Sequence, residues 1–172
     1  DPRTLAPVPA VATRWESSQE DRVWTFYLRD NARWSNGEKV TADDFVRSWE
    51  RTLKIGPLAP HTELLANIEG ATPTVQSTKP EEQKPAAAQG LGVHAINEHT
   101  LQVTLQRPDH SFPALVAHPV FRPVKVADAD HTTRLESRDL ISNGAFHLSA
   151  TESDRVRLER AKTYWDGDSV AL

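Results

Sequence analysis

The sequence predicts an α+β fold, in which a mixed sheet built from β-hairpins is covered by a few helices. Runs of alternating apolar and polar residues at 23–28 and 93–105 have the period of β-strands. An amphipathic stretch at 41–54 has the period of a helix. The 172 residues suit one domain or one large lobe, which can bury a core without a disulfide or a metal.

The first two elements are predicted to be strands. Residues 11–17 form the first, and the aromatic and β-branched run VWTFYL at 23–28 forms the second. The polar residues 18–21 make the turn between them. A further turn follows at Asn36-Gly37, because glycine tolerates a positive φ.

The helix at 41–54 carries clear signals at both of its ends. Thr41 is a candidate N-cap, and the acids at 43 and 44 complement the positive first turn. Gly56-Pro57 ends the helix, because neither residue continues it well. One face of the helix is apolar and consists of Ala42, Phe45, Val46, Trp49 and Leu53.

Two shorter helices and one long loop are predicted downstream. Residues 62–68 carry Leu64, Leu65 and Ile68 and suit a short helix. Residues 111–117 suit another, which Pro113 begins and Pro119 ends. The intervening stretch at 70–90 contains three prolines and few apolar residues, which is typical of a surface loop.

Two more hairpins complete the predicted fold. The alternating run at 93–105 folds back at 97–99. Residues 146–148 and 155–158 form the second hairpin, around the polar turn at 151–154. No internal repeat or heptad array is present in the sequence.

Composition argues against several classes of function. The net charge is −4, from 20 basic and 24 acidic residues, and no basic stripe favours nucleic acid. No run of about 18 apolar residues suits a membrane span. The chain has no cysteine, which excludes disulfides and thiolate chemistry.

The sequence also predicts no catalytic residues, no cofactor and no metal site. The seven histidines lack the H-x-x-x-H and H-E-x-x-H spacings. Asp43 and Asp44 are neighbours that point about 100° apart on a helix, so they cannot flank one bond together. No nucleophile elbow, phosphate loop or dinucleotide fingerprint occurs, and we expect that the protein is not an enzyme.

One long block of the sequence resembles a known family. Residues 9–53 read PAVATRWESSQEDRVWTFYLRDNARWSNGEKVTADDFVRSWERTL. Residues 12–15 are similar to an "A-x-S-W" strand, and 25–29 to a "T-F-x-L-R" strand. Residues 33–37 are similar to a "K/R-W-S-N/D-G" turn, and 40–45 to a "V-T-A-x-D-F/V" helix start. In this order the four motifs resemble the oligopeptide, dipeptide and nickel-type bacterial solute-binding proteins.

Four other segments extend the resemblance over nearly the whole chain. LGVHAINEHTLQVTL at 91–105 is similar to a family hairpin, and ISNGAF at 141–146 to a family turn. RAKTYWD at 160–166 is similar to "R/N-P-x-Y-W", and DPRTL at 1–5 to the family's opening "D-P-x-T-L-D-P". The resemblance implies the first lobe of a type II periplasmic binding protein, cluster C.

The resemblance also implies a function and partners. Proteins of this kind hold a peptide or another small solute between two lobes that close around it. They deliver that solute to the membrane permease of an ABC importer. They work in the periplasm or anchored outside the cytoplasmic membrane, and they involve no nucleic acid.

The sequence departs from the family in two places. After DPRTL it runs directly into residues 6–11, where the family has a helix and a strand that line its cleft. The second lobe of the family has no counterpart in these 172 residues. We therefore expect 1–172 to form a single partial lobe, with about 11–124 as an inserted subdomain and about 135–172 as return strands. Such a lobe supplies one wall of a cleft, and we expect it to bind peptides weakly or not at all by itself.

Four residues are candidates for ligand contact, by their positions in the family. His61 lies where the family has a cleft-facing aromatic, with an exposed helix-entry residue as the alternative reading. Tyr164, Trp165 and Asp166 lie near the region between the lobes, with packing against the sheet as the alternative. Asn143 and Gly144 are interpreted as turn residues.

A second function and a dimer also follow from the departures. The chain can be read as a reduced, non-transporting interaction or regulatory module on the same scaffold. A lobe without its partner segments should expose apolar surface, and such surface promotes association. We therefore expect a homodimer or a monomer that associates readily.

Overall fold

A four-stranded antiparallel sheet and one long helix form the body of the molecule. The computed structural model describes residues 1, 3–4, 6–71, 90–125, 140–151 and 154–170. The strands of this sheet are β1 (Ala12–Ser18), β2 (Val23–Leu28), β3 (Val93–Asn97) and β4 (Thr100–Thr104). The helices are α1 (Ala42–Ile55) and the single turn α2 (Phe112–Leu115). A separate hairpin consists of β5 (Phe146–Thr151) and β6 (Val156–Arg160).

The sheet has the strand order β1-β2-β4-β3. All of its described pairings are antiparallel, so the expectation of a mixed sheet is not met in this part of the chain. The physical reason is that short turns join β1 to β2 and β3 to β4, whereas parallel neighbours need long crossovers. The α+β class is confirmed, since the helices lie beside an antiparallel sheet.

The central strand β2 is where the predicted alternation is clearest. Trp24, Phe26 and Leu28 are buried, and the residues between them are half-buried. Trp24 lies opposite Val103, and Phe26 lies opposite Leu101 on β4. These pairs put large apolar side chains on one face of the sheet, where they form the main core.

Helix α1 begins and ends close to the predicted residues. Thr41 is the N-cap, and its backbone N–H donates to the Asp44 carboxylate at 3.0 Å. Gly56 ends the helix with a φ of 61°, which glycine adopts without strain. Trp49 is buried on the helix face that meets the core, and its ring centroid lies 5.2 Å from that of Phe121.

The segment predicted as a helix at 62–68 is only a 3₁₀ turn over Thr62–Leu65. Ile68 forms an antiparallel bridge with Leu105, which pulls the chain into an extended path beside β4. Leu65 and Ile68 are fully buried there. A long-range pairing therefore overrides a local helical pattern.

The other predicted elements either occur with different first and last residues or lie outside the described residues. The helix at 111–117 is confirmed as a shorter element, α2. The hairpin at 93–105 is confirmed as β3 and β4, and the last hairpin is longer than expected at both strands. The predicted loop at 70–90 falls almost wholly in 72–89, outside the described residues.

The C-terminal segment is joined to the body near the Asn36-Gly37 turn. Ser35 donates its backbone N–H to the Ser142 carbonyl at 2.7 Å, and Ser142 donates back to the Ser35 hydroxyl at 3.2 Å. Gly37 has a φ of 88°, as the turn requires. Trp165 packs against a second small core of Ala32, Trp34 and Val40.

Candidate functional site

A groove lies beside β1 and α1. Its volume is about 860 Å³. The sheet contributes Trp15 and Phe26, which lie opposite each other on β1 and β2 and so point to the same face. Helix α1 contributes Phe45 and Trp49 to the facing wall. The sequence builds the groove from apolar residues that the sheet and helix place side by side.

The remaining walls come from three other segments. The groove is also bordered by α2 and the residues that follow it, by the opening segment and by the C-terminal segment. These residues lie within 113–123, 6–12, 143–144 and 164–165. Phe121 is buried between the groove and the core. The groove can therefore accept an apolar body, because most of its surface is carbon.

Few polar groups reach this groove. Among the described residues its charged members are Asp1 and Arg122, and Asn143 is an uncharged polar one. The Asp1 carboxylate accepts the backbone N–H groups of Arg3 and Thr4 at 2.7 and 3.1 Å. The described part of the groove therefore offers mainly apolar contacts to a bound molecule.

Of the predicted contact residues, Tyr164 and Trp165 border the groove. Their ring centroids lie 5.3 Å apart. The Arg29 guanidinium stacks 3.5 Å from the centroid of the Trp165 ring, and its Nε donates to the Ala10 carbonyl at 2.6 Å. Trp165 therefore has a packing partner on one side and the groove on another.

The other two predicted residues lie outside the groove. His61 is exposed and has a left-handed backbone, with φ of 62°. Its ring lies edge-to-face with that of His118, and the centroids are 4.9 Å apart. The Asp166 carbonyl accepts the backbone N–H of Ser169, in the turn Gly167–Ser169. The structure brings together two of the four candidates.

The sequence did not identify Trp15, Phe45, Trp49 or Arg122 as residues of a groove. The four residues belong to three segments that are far apart in the chain, and only the folded structure brings them to one groove. No motif or periodicity in the sequence carries that information. The half-buried state of Trp15 and Phe45 becomes visible only in the structure.

A buried carboxylate lies close behind the groove, at the start of α1. Asp44 is 3% exposed and accepts hydrogen bonds from the Trp34 indole at 3.1 Å and from Arg47 at 2.6 Å. Burial alone would raise the pKa of Asp44. The Thr41 N–H, the Trp34 indole, Lys125 and Arg47 outweigh burial, so the pKa of Asp44 lies below its ordinary value.

Lys125 links this carboxylate to the preceding turn. Its ammonium lies 2.7 Å from the Glu38 carboxylate and 3.8 Å from that of Asp44. The hydrogen bond from Lys125 holds the pKa of Glu38 below its ordinary value. The charges therefore stabilise the helix start, which carries Phe45 into the groove.

Two kinds of site do not occur in the part of the chain that the structure describes. No group of three or more His, Cys, Asp or Glu side chains there is placed to hold a metal ion. His131 lies outside that part. No helix in the described ranges is long and apolar enough to cross a membrane.

Comparison with known proteins identifies one family. The family model for the middle region of "Bacterial extracellular solute-binding proteins, family 5" matches residues 6–172. The periplasmic oligopeptide-binding protein OppA of Escherichia coli is 36% identical over 171 residues, which cover 96% of this chain and 30% of that protein. The dipeptide-binding protein DppE of Bacillus subtilis is 35% identical over 169 residues, with the same two coverages.

Solved structures give the same result. The substrate-binding domain of an oligopeptide ABC transporter from Bacillus anthracis superposes with a TM-score of 0.80 at 33% identity. The match covers 96% of this chain and 32% of that structure. The present chain thus spans about a third of the length of the proteins that it resembles.

Proposed function

Because the chain belongs to family 5 of the bacterial extracellular solute-binding proteins, we propose that it is part of the substrate-binding component of an ABC-type peptide uptake system. It acts outside the cytoplasmic membrane, in the periplasm or anchored to the membrane surface. Its partners are an oligopeptide-like solute and the membrane permease of the importer.

The observation that carries this proposal is the continuity of the family match. The match includes both the sheet with α1 and the C-terminal segment that borders the groove. Both parts belong to the same lobe in our proposal. Residues 1–172 form one partial lobe, in which about 11–124 is an inserted subdomain and about 135–172 is the return to the main sheet.

The proposed mechanism is closure of two lobes around the peptide. This chain supplies one wall, and Tyr164 and Trp165 are the residues that we place nearest to the solute. His61 and Asp166 are kept as further candidates on the same lobe. A wall of this kind contributes apolar contacts, while a second wall is needed to bury most of the ligand.

The family consists of solute-binding proteins, so we propose binding and no reaction. The Asp1 carboxylate at the groove fits a binding role, because its two hydrogen bonds from backbone N–H groups hold it in a structural turn. No acid and base face each other across the groove among its described lining residues.

Calorimetric titration with a pool of short peptides tests the function. We expect little or no heat of binding from the 172-residue chain and saturable binding by a longer chain with both lobes. In the longer chain, Tyr164→Ala should weaken binding, because it removes an aromatic ring at the wall. Tyr27→Ala is the matched control, since Tyr27 on β2 stacks with Arg14 on β1 and does not line the groove.

Two outcomes would change the proposal. Tight peptide binding by the short chain alone would favour a reduced, non-transporting module with a complete pocket of its own. Absence of binding by the two-lobe chain to any peptide would contradict the peptide uptake function.

A further inference from the structure

Arg122 is a cation at the groove that has no counter-ion among the described residues. It borders the groove and is exposed to solvent. Two other cations have partners, since Arg29 stacks on Trp165 and Lys125 pairs with Glu38. Neither an ion pair nor a side-chain hydrogen bond joins Arg122 to another described residue.

The Asp1 carboxylate, the other charged side chain at the groove, already has hydrogen-bond partners. It accepts the backbone N–H groups of Arg3 and Thr4 at 2.7 and 3.1 Å. Arg122 is therefore the charged side chain of the groove that has no partner among the described residues. An unpaired guanidinium favours a ligand that carries a negative group.

The apolar lining of the groove favours a ligand with an apolar body. The half-buried Trp15 and Phe45 present aromatic surface along the groove. The volume of about 860 Å³ lies within the range of pockets that hold small organic molecules, roughly 300–1,000 Å³. Rings and alkyl chains pack well on such surface, because their burial removes apolar area from water.

We propose that this groove binds a small amphipathic anion. Its alkyl or fused-ring body lies against Trp15 and Phe45, and its carboxylate or sulfonate pairs with the Arg122 guanidinium. The planar guanidinium suits this role, since it can donate two parallel hydrogen bonds to one carboxylate. Tyr164 and Trp165 border the same groove, so this inference rests on the proposed function and adds a ligand class for that wall.

The probe is the fluorescent sulfonate 1-anilinonaphthalene-8-sulfonate, titrated into the folded chain. We expect saturable binding at one site, with energy transfer from the tryptophans that line the groove. Dodecanoate, kept below its micelle concentration, should displace the dye. Dodecanol and dodecyltrimethylammonium at the same concentrations should displace it less well, because they lack the negative group.

The role of Arg122 is tested by Arg122→Gln. We expect this variant to weaken dodecanoate about fivefold, which is the upper range for an exposed ion pair. It should also remove most of the salt dependence of binding. Arg107→Gln is the matched control, because Arg107 is exposed and lies outside the groove.

The location is tested by filling the groove. Ala117 is exposed and borders the groove, so Ala117→Trp should weaken both ligands at least tenfold while the circular dichroism spectrum stays unchanged. Ala95→Trp, on exposed β3, is the control and should leave binding unaltered. Equal displacement by the anionic, neutral and cationic detergents would overturn the proposal, and so would unchanged binding in Ala117→Trp.

Discussion

The Asp44 carboxylate accepts hydrogen bonds from three different side chains and from the backbone. Thr41, Trp34 and Arg47 all donate to it. A buried acceptor with several donors is costly to remove, because each donor is then left without its partner. Asp44 therefore fixes the start of α1 against the Trp34 core, and the position of Phe45 in the groove depends on it.

Replacing Asp44 should destabilise the protein at neutral pH. We expect Asp44→Asn to lower the free energy of unfolding by about 2 kcal/mol, since the amide offers one acceptor oxygen and no charge. Asp43→Asn is the control and should cost less than about 0.5 kcal/mol, because Asp43 is exposed and pairs only with Arg47. Urea denaturation of both variants measures the difference.

The same variants test the pH dependence. The pKa of Asp44 is lowered by folding, so its contribution is present above the unfolded value of about 4 and is lost as pH falls through the lower folded value. The stability difference between wild type and Asp44→Asn should therefore shrink below pH 4. A constant difference between pH 7 and pH 3 would contradict this assignment.

At the scale of elements, the β3–β4 hairpin packs tightly against residues 67–71. Gly92 donates its N–H to the Glu69 carbonyl at 2.7 Å, and Thr104 donates to the Gly92 carbonyl at 2.7 Å. A Cβ at Gly92 would lie 2.8 Å from the Glu69 Cβ and 2.9 Å from the Thr104 carbonyl oxygen. The close approach of the two segments thus requires glycine at this position.

Gly92→Ala should destabilise the fold by about 1–3 kcal/mol, as overpacking does elsewhere. Gly90→Ala is the matched control, because a Cβ there meets nothing within 4 Å. Thermal and urea unfolding of the two variants provide the measurement. Equal stability of the two variants would show that the segments can separate without cost.

Elements with strong local signals were predictable, whereas those set by distant contacts were not. The alternation of β2 and the caps of α1 lie within their own segments. The predicted ends of both elements therefore differ from the observed ends by at most one residue. The helix expected at 62–68 failed because Ile68 pairs with Leu105. The groove was not predictable either, since Trp15, Trp49 and Phe121 meet only after the sheet has formed.

At the scale of the whole molecule, the β5–β6 hairpin presents apolar side chains to solvent. Val156 is 66% exposed and Leu158 is 58% exposed. A two-stranded hairpin is marginally stable by itself in water. We propose this face of β6 as the surface through which two copies of the chain associate.

Light scattering over a range of concentrations tests this association. We expect a reversible dimer in the wild type and a shift toward monomer in the double variant Val156→Thr and Leu158→Thr, because less apolar area is then buried. Ile96→Thr, exposed to 56% on β3, is the control. A wild-type mass equal to one chain at every concentration would rule out the dimer.

The paired hydrogen bonds between Ser35 and Ser142 join residues that are 107 positions apart. Closing a flexible loop of that length costs about 4 kcal/mol of chain entropy. The two bonds together return about 2 kcal/mol, so they could not hold the ends of an unfolded chain together. The folded sheet shortens the path between them, so we expect the C-terminal segment to become ordered only when the body of the fold is already in place.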